Sequence, residues 1–397
     1  MGVRLTDDQR LMLEGGRGGI VQKLMRLLVR LGEIYGAGRM VDISSAQISG
    51  VSYKSIGDPG LEFLEDVAGR GARVSVPAFM NPAGMDLEDW RALGFPEEFA
   101  AGQKRIIDAL TSMGVAPSAT CTPYLAGNLP RRGEHLAWAE SSAVSYANSV
   151  IGARTNREGG PSALAAAVCG CTPLHGLHID DNRGPSVRVE VDASLASRAD
   201  HGALGWHVGR KVESSIPYFT GLGPASPDDL KALGAAMAAS GAVALYHAGG
   251  LTPEAHLHDP SLLPSIRVGR KELDEACARL GSNSRPDLVV TGCPHASLEE
   301  VADVAHRLEG RKLATPLWVC TSRFVKDLAA REGLQSIIEQ AGGRLVADTC
   351  MVVAPIERMG FKTTAVDSGK AAHYLPGLCG QRVVFRDLAS LIEEAIE

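Results

Sequence analysis

Aromatic residues make up only 5% of this 397-residue chain, too few for the stacking platforms that hold single-stranded nucleic acid. Basic charge is not in excess either. The formal net charge is -6, which gives no electrostatic footprint for nucleic acid or an anionic membrane. No apolar stretch approaches the roughly 20 residues that span a bilayer. The N-terminus, "MGVRLTDDQRLMLEGG", lacks the apolar core of a secretion signal. A cytoplasmic protein is therefore expected. Eight cysteines are present but no CxxC pair, so zinc-ribbon and thioredoxin-type readings have no support. In a reducing compartment a disulfide framework is not expected. The Walker spacing, repeats of fixed period and low-complexity tracts are missing too.

What remains is an ordinary globular composition, rich in glycine and alanine, long enough for two or three domains. Thr6 reads as a helix N-cap with Gln9 at the third helical position. One or two helices then run to about Tyr35. Met40 to Ile43 reads as a strand followed by a small-residue loop, and Gly60 to Val67 as a helix. "ARVSVPAFMNPAG" reads as a second strand ending in a turn, with a helix from about Leu87, and "GVAPSATCTPY" as a third strand-to-loop junction. Two helices packed through alanine and serine meet at Gly159-Gly160-Pro161. "SVRVEVDA" is a strand by alternation. Beyond it, "AVALYHA", "DLVVTG", "LWVCTS" and "RLVADT" alternate with helical stretches, with Ser297 as one N-cap. Serial β-α-β-α predicts mainly parallel sheets flanked by helices. Two α/β regions are expected, 1–200 and 201–397, with a loop near "GLGPASPDD" leading into the second.

The same event occurs twice in the C-terminal region. "LVVTGC" ends on Cys293 and "RLVADTC" on Cys350. Ligands bind at the carboxyl edge of such sheets. Cys121 follows a comparable junction in the other half. Three thiols facing one cleft could form an incomplete thiolate cage around an iron–sulfur cluster, whose open iron acts as a Lewis acid. Free cysteine is also a common core filler, and that reading suits Cys169, Cys171, Cys277, Cys320 and Cys379. A thiolate nucleophile at Cys293, activated by His295, is a third possibility. Loops around Ser45, Ser49, Gly50 and Ser52, around Asn81-Pro82, and at Gly369-Lys370 suit an anion. Each alone is equally an ordinary βα turn. In the stretch holding Glu140, Ser141 and Ser142, and Arg154, Asn156, Arg157 and Glu158, a carboxylate and hydroxyls can handle protons or orient a substrate, or equally cap helices and fill a helix-packing interface.

The segments "SSAQISGVSYK", "NPAGMD", "CTPYLAGN", "GEHLAWAESSAV", "GARTNREGGPSALAAA", "GCPHAS", "DTCMVV" and "DSGKAAHYLPG" run through nearly the whole chain. In that order they resemble the aconitase X family, most closely its archaeal two-chain members. The resemblance implies an aconitase-like multi-domain α/β core and a [4Fe-4S] cluster on Cys121, Cys293 and Cys350. It implies dehydration of (R)-5-phosphomevalonate to trans-anhydromevalonate 5-phosphate, with cis-3-hydroxy-L-proline dehydration as the alternative within the family. It implies substrate contacts at Gly50, Val51, Ser52, Asn81, Pro82, Glu140, Ser141 and Lys370. Fused relatives carry a further small domain after the matching region, so a separate small subunit is expected as partner, and with it the catalytic base. A cluster-free scaffold subunit, with the cysteines merely packing, is the alternative of a different class.

Overall fold

The computed structural model describes residues 2–396. Five parallel strands form the C-terminal sheet, in the order Arg344–Ala347, Leu317–Thr321, Leu288–Ala296, Thr363–Val366 and Arg382–Phe385. Strand Leu288–Ala296 is buried along its whole length because both faces are covered. Leu288, Val290, Trp318 and Cys320 point into one core, and Val289, Leu317 and Val319 into another. That period-two division is why these strands read as continuous apolar runs. Ser297 caps the next helix, Leu298–Leu308, in a capping box with Glu300.

A second parallel sheet is ordered His247–Ala248, Pro217–Thr220, Val187–Asp192 and Ser265–Gly269. "AVALYHA" contributes only its last two residues; its first, Ala242, takes the left-handed conformation that caps the preceding helix. Helices Arg198–Val212 and Pro227–Gly241 pack closely here, and a Cβ on Gly205 would lie 2.3 Å from the Leu233 carbonyl oxygen. Small residues are required at that crossing. Among the described residues no helix is long and apolar enough to cross a membrane.

The N-terminal region differs more from the sequence expectation. Its parallel sheet is ordered Ala78–Met80, Ser45–Ile48 and Leu136–Trp138. The stretch read as a small-residue loop is thus the central strand. Ser45 and Gln47 disguise it, but both are buried and bonded. Ser45 accepts from the Trp138 indole at 3.1 Å, and the Gln47 amide donates to the Thr120 carbonyl at 3.0 Å. The helix expected from Leu87 begins at Glu97. Asp86 takes the backbone amides of Glu88 and Asp89 into a turn instead. The segment before Cys121 is not a strand. It touches the sheet through a bridge at Ala116 and through Thr120, whose amide donates to Met80 at 3.0 Å.

Asp86 also joins the two halves. Its carboxylate is fully buried and meets Arg323 at 2.7 Å, Lys326 at 3.4 Å and the amide of Ala347 at 2.9 Å. Arg323 pairs in turn with Asp348. This network locks the turn after Asn81 and Pro82 against the strand end that carries Cys350.

Gly292 has φ +90°, and a Cβ there would sit 2.0 Å from the Cys320 carbonyl oxygen. Gly292→Ala must therefore force neighbouring strands away from each other. A loss of about 3 kcal/mol or more is expected in urea unfolding followed by circular dichroism. An unchanged midpoint would contradict that close strand spacing.

Candidate functional site

One cavity of about 250 Å³ lies where the N-terminal and C-terminal sheets meet. Cys121, Cys293 and Cys350 line it, with Asn81, Pro82, Glu140, Ser141 and Lys370. Gly50, Val51 and Ser52 stand beside it rather than in its wall. Gly50 lines an adjoining apolar cavity, and Ser49 is shared by both. Val51 and Ser52 are almost wholly buried, and the Ser52 hydroxyl donates to the Val353 carbonyl at 2.8 Å. The sequence reading left Arg157 without a role and did not single out Tyr374 or Leu378. All three line the cavity. Arg157 is exposed and has no ion-pair or hydrogen-bond partner among the described residues, a state that only the folded chain reveals.

Each cysteine follows a residue in the left-handed region: Ala119 before Cys121, Gly292 before Cys293 and Asp348 before Cys350. At Ala119 and Asp348, which unlike glycine carry a Cβ, this conformation is strained and persists only where the surroundings fix the chain. Here His295 does much of the fixing. Its Nδ1 lies 2.9 Å from the Thr120 hydroxyl and its Nε2 lies 2.9 Å from the Thr349 carbonyl oxygen. A carbonyl only accepts, so Nε2 carries the proton and Nδ1 accepts from threonine. The backbone N–H of His295 donates to Cys121 Sγ at 3.1 Å. Burial holds the imidazole neutral, with its pKa down to about 4. Both ring nitrogens are engaged away from Cys293, so the nucleophile reading loses its base.

Charge in the cavity is nearly cancelled. Lys370 opens helix Gly369–Cys379 and pairs with Glu140, which caps helix Ser141–Tyr146. Glu140 also accepts from Asn81 at 2.8 Å, and Lys370 reaches the Ser142 hydroxyl at 3.2 Å. Burial alone would raise the Glu140 pKa. The lysine charge and these donors win, and hold it at about 2. Lys370 is raised correspondingly.

The thiols respond to burial and to Lys370 in opposite senses. Burial pushes Cys121 up to about 12 from 9.0 even with Lys370 pulling the other way, a net cost of about 4 kcal/mol to ionise it. Cys350 moves down, because the Cys293 thiol and the amides of Val352 and Val353 stabilise its anion, while Cys293 moves up. Among the described residues no three His, Cys, Asp or Glu side chains close around one point as a single ion needs. The three thiols instead share a cavity, with the His295 N–H donating to Cys121 and a cation nearby. That donor set fits a thiolate-bound inorganic cluster larger than one ion.

Lys370→Met would leave the Glu140 carboxylate buried without its cation, at a cost of about 3 to 5 kcal/mol near neutral pH. The sign of the pH dependence follows from the depressed pKa. The pair's stabilisation is complete above the ordinary 4.5 and is lost as pH falls through about 2. The stability gap between parent and variant should therefore narrow on acidification. Urea midpoints at about pH 7 and about pH 3 measure it, and a constant gap would refute the pairing.

Three family models match the chain in order: the aconitase X first domain over residues 2–181, the second domain over 185–278 and the third domain over 286–397. The phosphomevalonate dehydratase large subunit of Methanothermobacter thermautotrophicus is 55% identical, with 98% of each chain covered. The protein of that name from Methanocaldococcus jannaschii is 53% identical, over 98% of this chain and 99% of that one. The cis-3-hydroxy-L-proline dehydratase of Pseudomonas aeruginosa is 37% identical over all of this chain but 70% of its own length. The crystal structure of holo-form aconitase X from Thermococcus kodakaraensis superposes with a TM-score of 0.94 at 45% identity, covering 99% of this chain and 100% of that one. With all three domains matched along its length, this chain belongs to the aconitase X family.

Proposed function

We propose that this chain is the cluster-bearing large subunit of a two-chain hydro-lyase that dehydrates (R)-5-phosphomevalonate to trans-anhydromevalonate 5-phosphate. The observation that carries the reading is the cavity itself, in which three thiols from three separate segments, Cys293 among them inside strand Leu288–Ala296, face one unpaired cation. Relatives matched over their whole length and called phosphomevalonate dehydratase large subunit support the substrate. The words "large subunit" support a small partner.

Cys121, Cys293 and Cys350 would hold a [4Fe-4S] cluster. When bound, it supplies an open iron that, as a Lewis acid, makes hydroxide a better leaving group. The chain's other residues bind and orient. Asn81 and Ser141 fix Glu140, and Glu140 fixes Lys370. A general base works best with a pKa near the working pH. Glu140 is too acidic for that and Lys370 too basic. The cavity's own ionisable pair is thus suited to positioning, which supports a proton acceptor supplied by the partner.

Arg157 is the cation left for an anionic substrate group, because Glu140 neutralises Lys370. Phosphomevalonate carries a phosphate that cis-3-hydroxy-L-proline lacks. A charge-assisted hydrogen bond contributes about 1.5 to 3 kcal/mol, so Arg157→Ala is expected to raise KM for phosphomevalonate roughly ten- to hundredfold, with kcat less affected. Steady-state kinetics on the reconstituted complex measure this, and an unchanged KM would remove Arg157 from substrate recognition.

The reading as a whole is tested by assembling the chain with its small subunit under anaerobic conditions, with iron and sulfide. Phosphomevalonate should be dehydrated in preference to cis-3-hydroxy-L-proline, and chelation of the iron should abolish turnover. The large chain alone should be inactive. Preference for hydroxyproline would select the other activity of the family. Protein that takes up no iron would favour a scaffold role.

A further inference from the structure

A second hollow of about 250 Å³ lies between helices Arg198–Val212 and Arg270–Leu280 and shares no lining residue with the thiol cavity. Its wall carries Arg210, Lys211 and Arg279, together with His207, Glu275 and Trp206. Trp206 is 6% exposed and forms a rigid floor, because its indole N–H donates to His373 Nδ1 at 3.2 Å. The Arg210 guanidinium lies over that ring, 4.8 Å from its centroid, and is thereby held at the hollow.

Basic residues stand in the last turn of both helices, where they complement the helix dipole. The dipole accounts for their presence but not for their lack of partners. The same helices pair their other arginines, Arg198 with Glu300 and Asp303, and Arg270 with Asp200 and Asp274. Arg210, Lys211 and Arg279 are exposed and form no ion pair or hydrogen bond among the described residues, although Glu275 lines the same hollow. Burial, with Lys211 nearby, pushes the His207 imidazole down, so it adds no charge at neutral pH. Three cations therefore face one carboxylate, on a chain whose formal net charge is -6.

That excess of positive charge matches one phosphate group, which carries about -1.5 to -2 at neutral pH. Arginine forks suit phosphate because two N–H groups of one guanidinium can meet two of its oxygens. Glu275 repels a bare anion, but it can accept from a hydroxyl on the same ligand. We propose that this hollow is a second anion site, built for a small hydroxylated phosphate monoester: the cations take the phosphate and Glu275 accepts from a ligand hydroxyl. The proposal is independent of the cluster and of the substrate assigned above.

Calorimetric titration of the full chain tests it, with glycerol 3-phosphate, inorganic phosphate and glycerol as probes at low ionic strength. Glycerol 3-phosphate should saturate the site, inorganic phosphate should bind more weakly, and glycerol should not bind. Arg210→Ala and Arg279→Ala each remove a charge-assisted contact and should weaken glycerol 3-phosphate about tenfold. Lys211→Gln probes the same wall should either arginine variant fail to fold, which circular dichroism melts reveal. Glu275→Gln should narrow the preference for glycerol 3-phosphate over inorganic phosphate. Arg157→Ala, in the other cavity, should leave this site occupied. A parent chain without saturable binding overturns the proposal. So does parent-like affinity in the folded arginine and Lys211 variants, or binding lost only in Arg157→Ala, which would place the phosphate in the thiol cavity. An unchanged preference in Glu275→Gln overturns the hydroxyl contact.

Discussion

A neutral imidazole holds the three cysteine loops in register. His295 lies two residues after Cys293, touches Thr120 beside Cys121, and touches Thr349 beside Cys350. Its backbone adds a direct bond to the Cys121 sulfur. One side chain therefore links two different sheets at the point where their thiols meet. The tautomer is fixed by the Thr349 carbonyl, which can only accept and so keeps the proton on Nε2. Full burial keeps the ring neutral, and burial in turn follows from the close seating of the loops. Fold and site are coupled through this residue in both directions.

The second constraint is charge. A buried cavity cannot carry unpaired charge at low cost, yet an anionic substrate needs a cation. Lys370 and Glu140 resolve the first demand by cancelling each other. On the proposed reading, Arg157 would meet the second from the exposed rim, where water supports its charge. Cations at two depths thus do different jobs. The deep one organises the wall and tempers the thiols, and the outer one remains available.

Much of the C-terminal half was legible because both faces of its sheet are covered. Continuous Val, Ile and Leu runs then mark strands, and the residues just past them mark the functional edge. Cys293 and Cys350 could be placed that way, and Ser297 could be read as a cap. Cys121 could not, because its segment leans on the sheet through Ala116 and Thr120 without joining it. Strand Ser45–Ile48 was hidden by Ser45 and Gln47, whose partners, Trp138 and Thr120, are far away in sequence. The matching family segments named the three cysteines before any geometry did. They could not show that Glu140 already neutralises Lys370, or that both nitrogens of His295 face away from Cys293. Those facts depend on side-chain direction, which no spacing encodes.

The position of the cavity follows from sheet order. Strands Leu288–Ala296 and Thr363–Val366 are parallel neighbours, with Val290 opposite Val366. The chain leaves the first towards Leu317–Thr321 on one side and the second towards Arg382–Phe385 on the other. Connections that diverge in this way open a crevice at the carboxyl edge. Cys293 emerges there because it follows the paired residues of the first strand, and Lys370 because it follows the second. The C-terminal sheet alone leaves the crevice open on one side. Cys121, Asn81 and Glu140 close it from the N-terminal sheet, so the site exists only while the two sheets keep their relative placement. Asp86, Arg323, Lys326 and Asp348 hold that placement. A buried ionic network contributes little net stability compared with apolar packing, but it is intolerant of misalignment. Its value here is geometric: it lets the halves meet in one register, the register in which three thiols share a cavity.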